Sequence, residues 1–294
     1  LEVRRSVELR GLGARRSYVA LQRPGIRFYV IESERMLVDT QLLGPALRGL
    51  LLVPPSIGHL TIPVTGSFVA RREREVEIDA RSALVDPALA LDERWEGAHF
   101  RALCVDWDAA FGPPGRTTEL RLSARESSDV ANAARAIVDG TLSRETLQRL
   151  TQLLVSHAVL DEGAWSRLRE PAPPNAHVLA RAVNKLFTRF DLHPDLGDLE
   201  RELGVSPRHI RRTLTDLGPW SVLPGASMRA ALRRYRTWLA PSLSTAEGAT
   251  VEAVAQALGY RSPSALLLAL RDEGVPAPSH ARAIARGASH LSRP

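Results

Sequence analysis

ELGVSPRHIRRTL, residues 202–214, is the stretch on which the fold turns. Leu196, Leu199 and Leu203, spaced i, i+3 and i+7, share one face of a short helix that runs into it. Gly204 supplies the positive φ that a tight turn needs, with no Cβ to strain. Ser206 suits an N-cap, and Pro207 suits the first helical position, where its missing N–H costs nothing. Beyond it Ile210, Leu214 and Leu217 fall at i, i+4 and i+7 and face one way. Arg208, His209, Arg211 and Arg212 are left on the other side. The stretch predicts two short helices around a glycine, the second with a basic outer face: a helix-turn-helix.

The same pattern recurs in TVEAVAQALGYRSPSALLLALRDEG, residues 250–274. Val251, Val254 and Leu258 make the inner face of its first helix, and Ala255 is the small residue at the helix crossing. Gly259 makes the turn, Ser262 and Pro263 form a second N-cap and N1 pair, and Leu266 and Leu270 face inward. An arginine-rich helix, MRAALRRYRTWL (228–239), separates the two units.

Charge follows the same division. The first 174 residues hold 23 arginines against 23 acids, whereas residues 175–294 hold 16 Arg+Lys against 10 acids. The whole formal net charge of +6 lies in the last 120 residues. Codon bias explains many arginines but not their segregation; a nucleic-acid-binding domain joined to a neutral domain does. The single Cys104 excludes an intrachain disulfide and a multi-cysteine zinc site, and fits a reducing cytoplasm. No apolar run approaches the ~18 residues of a membrane span. LEVRRSVELRGLGARR (1–16) is charged throughout and lacks the apolar core of a secretory signal.

Upstream, SYVALQ, IRFYVI, LRGLLLV, GSFVARR, EVEID and FRALCVDW read as short strands of a small β-barrel or sandwich, closed off by FGPPG at 111–115. Residues 127–169 change to helical period, with Leu147, Leu150, Leu154 and Ala158 forming a stripe. That stripe serves equally to pack on the barrel or to form a dimer seam. PAPPN, 171–175, is a stiff proline-rich linker.

Two helix-turn-helix units, the second reading AQALGYRSPS and closing in GVPAP, resemble the AraC/XylS family of bacterial transcription regulators over about residues 180–286. PVTGSFVARREREVEIDARSALVDP (63–87) is similar, less specifically, to the cupin-like sensor domain that many members carry. The expected architecture is α+β. A cupin-like sensor and dimerisation domain with a helical tail spans 1–170, a linker 171–178, and an all-α domain of two helix-turn-helix units 179–294.

The resemblance implies base contacts from the start of each recognition helix: Arg208, Arg211 and Arg212 in the first, with Ser206 and His209 toward phosphates. In the second unit the matching positions are Pro263, Ser264, Ala265 and Leu268. Ser262 caps that helix and joins the DNA-contacting set, and Arg261 and Arg271 flank it for phosphate. Three departures stand out. Leu268 replaces the family's usual basic residue, Glu200 occupies a crossing position where the family prefers alanine, and LGPWSVLPGASM (217–228) is a long, proline-rich joint. Base reading is therefore expected to rest mainly on the first unit. Arg233, Arg234 and Arg236 are expected to stiffen the connecting helix or meet the DNA backbone.

No enzymatic chemistry is expected. His59 and His99 lie in no H-x-H pair, Asp106 and Asp108 form only a common D-x-D, and no Walker loop, G-x-S-x-G or dinucleotide fingerprint occurs. Trp95, Phe100 and Trp107 are expected in the core, with a ligand pocket as the alternative; Cys104 is expected as a buried small hydrophobe, His157 as a packed histidine rather than a ligand, and REREVE (72–77) on a solvated hairpin edge. No metal or cofactor is expected. The expected partner is double-stranded DNA, in the cytoplasm and away from membranes, with room for a small-molecule effector, a homodimer, and RNA polymerase contact if the protein activates. The alternative is a degenerate family member serving as a protein-interaction module with weak or no specific DNA binding.

Overall fold

The computed structural model describes residues 2–39, 58–71, 75–86, 92–95, 99–113, 116–187, 195–216 and 228–291. LRGLLLV and nearly all of LGPWSVLPGASM lie outside them. Two antiparallel sheets come first. One holds seven strands in the order β1 (Glu2–Leu9), β2 (Ala14–Arg23), β3 (Ile26–Glu34), β10 (His99–Trp107), β5 (Gly58–Thr65), β8 (Ser82–Val85) and β11 (Thr118–Arg121). The other holds β4 (Val38–Asp39), β9 (Asp92–Trp95), β6 (Phe68–Arg71) and β7 (Glu75–Ile78) in the order β4-β9-β6-β7.

β10 shows why the apolar run FRALCVDW forms the central strand: it is buried on both faces. Cys104 pairs with Tyr29 on β3 and with Thr61 on β5. Because strand side chains alternate, Leu103, Val105 and Trp107 pack toward helices α1 (Ala124–Asp139), α2 (Arg144–Ser156) and α3 (Ala164–Leu168). Ala102 and Cys104 face the small sheet, in a core with Phe68, Trp95 and Phe100. Trp95 stacks between Phe68 and Phe100 at 4.4 and 4.6 Å, so these rings and the fully buried Trp107 are packing, as expected. Gly58 lies so close under Trp107 that an added Cβ would meet the indole at 2.1 Å.

The stripe on α2 is committed to this sheet: Leu147, Leu150 and Leu154 share a core with Val19 and Phe28. Ala158 corrects the expectation. α2 stops at Ser156, and Ala158 takes a left-handed φ of 55° as Val159 turns back to bond Leu154 O at 2.9 Å.

Among the described residues seven further helices follow: α4 (Pro174–Phe187), α5 (Leu196–Leu203), α6 (Pro207–Asp216), α7 (Met228–Ser244), α8 (Val251–Ala257), α9 (Pro263–Asp272) and α10 (Pro278–Leu291). The proline-rich stretch turns helical at Pro174, with proline at a first position that tolerates it. None of the described helices is long and apolar enough to cross a membrane.

A third core joins these helices to the far end of the β1–β2 hairpin. Val7, Leu9 and Ala14 pack with Leu179, Val183, Trp238, Leu239 and Leu243. At the outer edge of β1, Asn184 Oδ1 accepts from Arg4 N (2.9 Å) and Arg5 Nη1 (2.8 Å), while its Nδ2 donates to Glu2 O (3.0 Å). Arg5 lies 4.2 Å over the Phe187 ring, Arg16 lies 4.5 Å over Trp238, and Arg16 also donates to Ser242 Oγ at 2.6 Å.

Candidate nucleic-acid interface

The first helix pair is built as its residues dictate. Asp195 caps α5 and Asp198 returns the bond, a reciprocal capping box. Gly204 sits at φ 65°, ψ 27°, a conformation that lets the chain leave α5 and enter α6 across three residues. Ser206 Oγ accepts from His209 N at 3.4 Å. Leu199 and Ile210 are buried, with Leu196, Leu203 and Leu214 packed against the same core. With that side fixed, Arg208, His209, Arg211 and Arg212 are all exposed on the opposite face. Arg212 contacts His209 Nδ1 at 3.1 Å, and among the described residues no ion pair engages Arg208, Arg211 or Arg212. α6 thus offers a row of guanidinium donors to an acceptor outside the chain. Glu200 is half-buried beside the crossing.

The second pair has the better scaffold. Val254, Leu258, Leu266 and Leu270 are buried, Ala255 occupies the crossing, and Gly259 turns at φ 69°. Thr250 caps α8, and Ser262 caps α9 by accepting from Ala265 N at 3.2 Å. The outer face of α9 is different in kind. Ser264 is exposed and Ala265 half-buried, while Leu267 and Leu268 are 41% and 50% exposed. Arg261 precedes the helix, exposed, and Arg271 in its last turn lies 3.6 Å from Asp272.

The arginines of α7 divide. Arg233 is tied to the end of α9 through Asp272 (3.2 Å) and Glu273 (2.9 Å). Arg236 is half-buried over the Tyr260 ring. Arg234 is exposed. Arg233 and Arg236 therefore brace the second pair on the connecting helix.

Sequence reasoning missed a polar chain between the sheets. Asp106 and His59, both demoted as ordinary, meet at 2.6 Å; His59 Nε2 lies 2.8 Å from Thr61 Oγ1, which donates to Glu93 Oε1 at 3.2 Å. Arg27 ion-pairs with Asp106 from the other side. Burial lifts the Glu93 carboxyl to about 7, against the pull of His59. Burial opposes protonation of His59, but the Asp106 carboxylate outweighs it and holds the imidazole above its usual value. The available signal was Asp106 itself, an acid inside a strand buried on both faces. Elsewhere Glu32, Glu34 and His99 bring ligand-type atoms together, but Arg101 and Arg15 already neutralise Glu32, and Arg15 also holds Glu34. His157 is bonded to Glu126 at 3.0 Å.

No family model matches the chain, and no curated protein does. Among solved structures, ToxT from Vibrio cholerae aligns over 88% of this chain and 98% of its own at 8% identity, with a TM-score of 0.36. The AraC-like transcriptional activator CuxR aligns over 84% of this chain and 86% of its own at 13% identity, with a TM-score of 0.33.

Proposed function

We propose that the chain is a cytoplasmic DNA-binding transcription regulator of AraC type, with a cupin-like β domain followed by two helix-turn-helix units. The observation that carries the proposal is the outer face of α6. Three exposed arginines stand on a helix fixed by its inner face, in the part of the chain that holds all the excess positive charge. A guanidinium reads guanine O6 and N7 by a bidentate bond, worth ~1–3 kcal/mol of base discrimination. α9 enters the groove differently: Arg261 and Arg271 meet phosphates, and Leu267 and Leu268 meet thymine methyls, the apolar group on a base edge.

Fluorescence anisotropy tests this with the DNA upstream of the gene and a scrambled duplex, over a salt series. The native duplex is expected to bind more tightly, and the preference to be lost in Arg211→Ala/Arg212→Ala. Equal, weak binding to both duplexes that disappears by physiological salt would overturn the reading. A second reading, a protein-interaction module, is favoured by one observation: the adjacent exposed leucines of α9.

A further inference from the structure

A cleft of about 550 Å³ opens on the helix-facing side of the β1–β2 edge, where the turn from α1 to α2 and the short α3 leave the sheet uncovered. Leu21, Leu147 and the half-buried Trp165 give it an apolar wall, and Arg23, Arg144 and Arg169 reach into it. Among its described lining residues Glu2 is the one acid, and Arg4 already pairs with it while donating to Val138 O at 2.7 Å. The field inside is therefore positive, and the N-terminal end of α2, capped at Ser143, adds to it. Arg144 lies 6.0 Å from the Trp165 ring centroid, placing a cation beside an aromatic face.

These features select for charge and for shape. The volume falls in the range of small-molecule sites, roughly 300–1,000 Å³. The apolar wall calls for a ligand body without polar groups, and the guanidiniums call for an anionic head that takes paired N–H bonds. We propose that this cleft binds a small organic anion, its carboxylate or sulfonate held by Arg144 and Arg169 and its flat apolar body laid against Trp165. The site lies outside the polar chain between the sheets and apart from the arginines of α6.

The cleft is also wired to the C-terminal helices. Its wall includes Glu2, whose carbonyl accepts from Asn184 on α4, and Arg4, which braces Glu2, donates its own N–H to the same asparagine. A ligand that draws on this wall loads the contact holding α4 to the sheet.

Fluorescence titration of the full chain with 1-anilinonaphthalene-8-sulfonate, against neutral N-phenyl-1-naphthylamine, tests the site. The two probes share their rings and differ in the sulfonate. The sulfonate probe is expected to bind saturably at one site and to weaken by about tenfold or more in Arg144→Ala/Arg169→Ala. The neutral probe should be weak and indifferent to that change, and Arg144→Lys/Arg169→Lys should keep part of the affinity. Equal affinities for the two probes, or an alanine variant of unchanged melting temperature that binds the sulfonate as wild type does, would overturn the site. Hydrogen exchange at β1 and α4 should slow on saturation; unchanged exchange would overturn the coupling to α4. No arm uses DNA, so the fate of this site and of the DNA reading are decided separately.

Discussion

A guanidinium on α6 and a guanidinium under Trp238 are the same group in opposite physical circumstances. Arg211 is exposed, and among the described residues no ion pair engages it. Arg211→Ala should therefore leave stability within ~0.5 kcal/mol while weakening a specific duplex. Arg16 is buried, and desolvation draws its pKa down to about 10. At that value it is still charged at neutral pH, and it sits on the Trp238 face and donates to Ser242 Oγ. Arg16→Ala removes packing as well as charge, and should cost on the order of 2–4 kcal/mol in urea unfolding. If both alanine variants unfold at the same urea concentration, the packing of Arg16 is not what its position implies. Gly58 gives the third residue-scale case. Its Cβ-less backbone admits Trp107, so Gly58→Ala should cost roughly 3 kcal/mol or more and shift the near-ultraviolet tryptophan signal.

The two second helices of the pairs can be laid on each other from their capping serines. Arg208, Arg211 and Arg212 of α6 then fall on Ser264, Leu267 and Leu268 of α9. Hydrogen-bonding reach is replaced by methyl groups at two of three positions, so α9 should discriminate thymine through its C5 methyl. Replacing thymine by uracil in the half-site under α9 should cost about fourfold in affinity per methyl removed. The same replacement under α6 should change little, and Leu267→Ala/Leu268→Ala should erase the difference. Indifference to uracil in both half-sites would leave these leucines to a protein partner. Both pairs were legible in the sequence because cap, glycine and inner face all lie within about twenty residues of one another. β1 was not. EVRRSVEL buries Val3, Val7 and Leu9 on one face, but Arg5 interrupts the alternation, and the ring that receives it is Phe187. The polar chain failed to show for the same reason: Asp106, His59 and Glu93 make sense only once β10, β5 and β9 are in place. Ala158 was misplaced because a stripe reports spacing and carries no stop signal of its own.

For the whole molecule, that polar chain sets a pH dependence. In the native protein Glu93 keeps its proton to about 7, whereas in the unfolded chain it loses it at its ordinary 4.5. The native state therefore binds more protons between these values, and stability falls as pH rises through that window. His59, raised above 6.5, adds stability that is complete below that value and is lost as pH climbs through the native one. Both act in one direction. The unfolding free energy, and with it the urea midpoint, should be lower at pH 8 than at pH 5.5, with about 2 kcal/mol of the loss coming from Glu93, and Glu93→Gln should flatten the lower part of the slope. A midpoint that rises with pH would show that other groups govern. The core that binds Val7, Leu9 and Ala14 to α4 and α7 has a consequence during synthesis. The bond from Arg16 to Ser242 closes across 226 residues. At ~5–20 residues per second, the hairpin leaves the ribosome some ten to forty seconds before the helix that covers it. Throughout that interval its apolar end and its outer edge are bare, so the nascent chain is the form of this protein most in need of a holding chaperone.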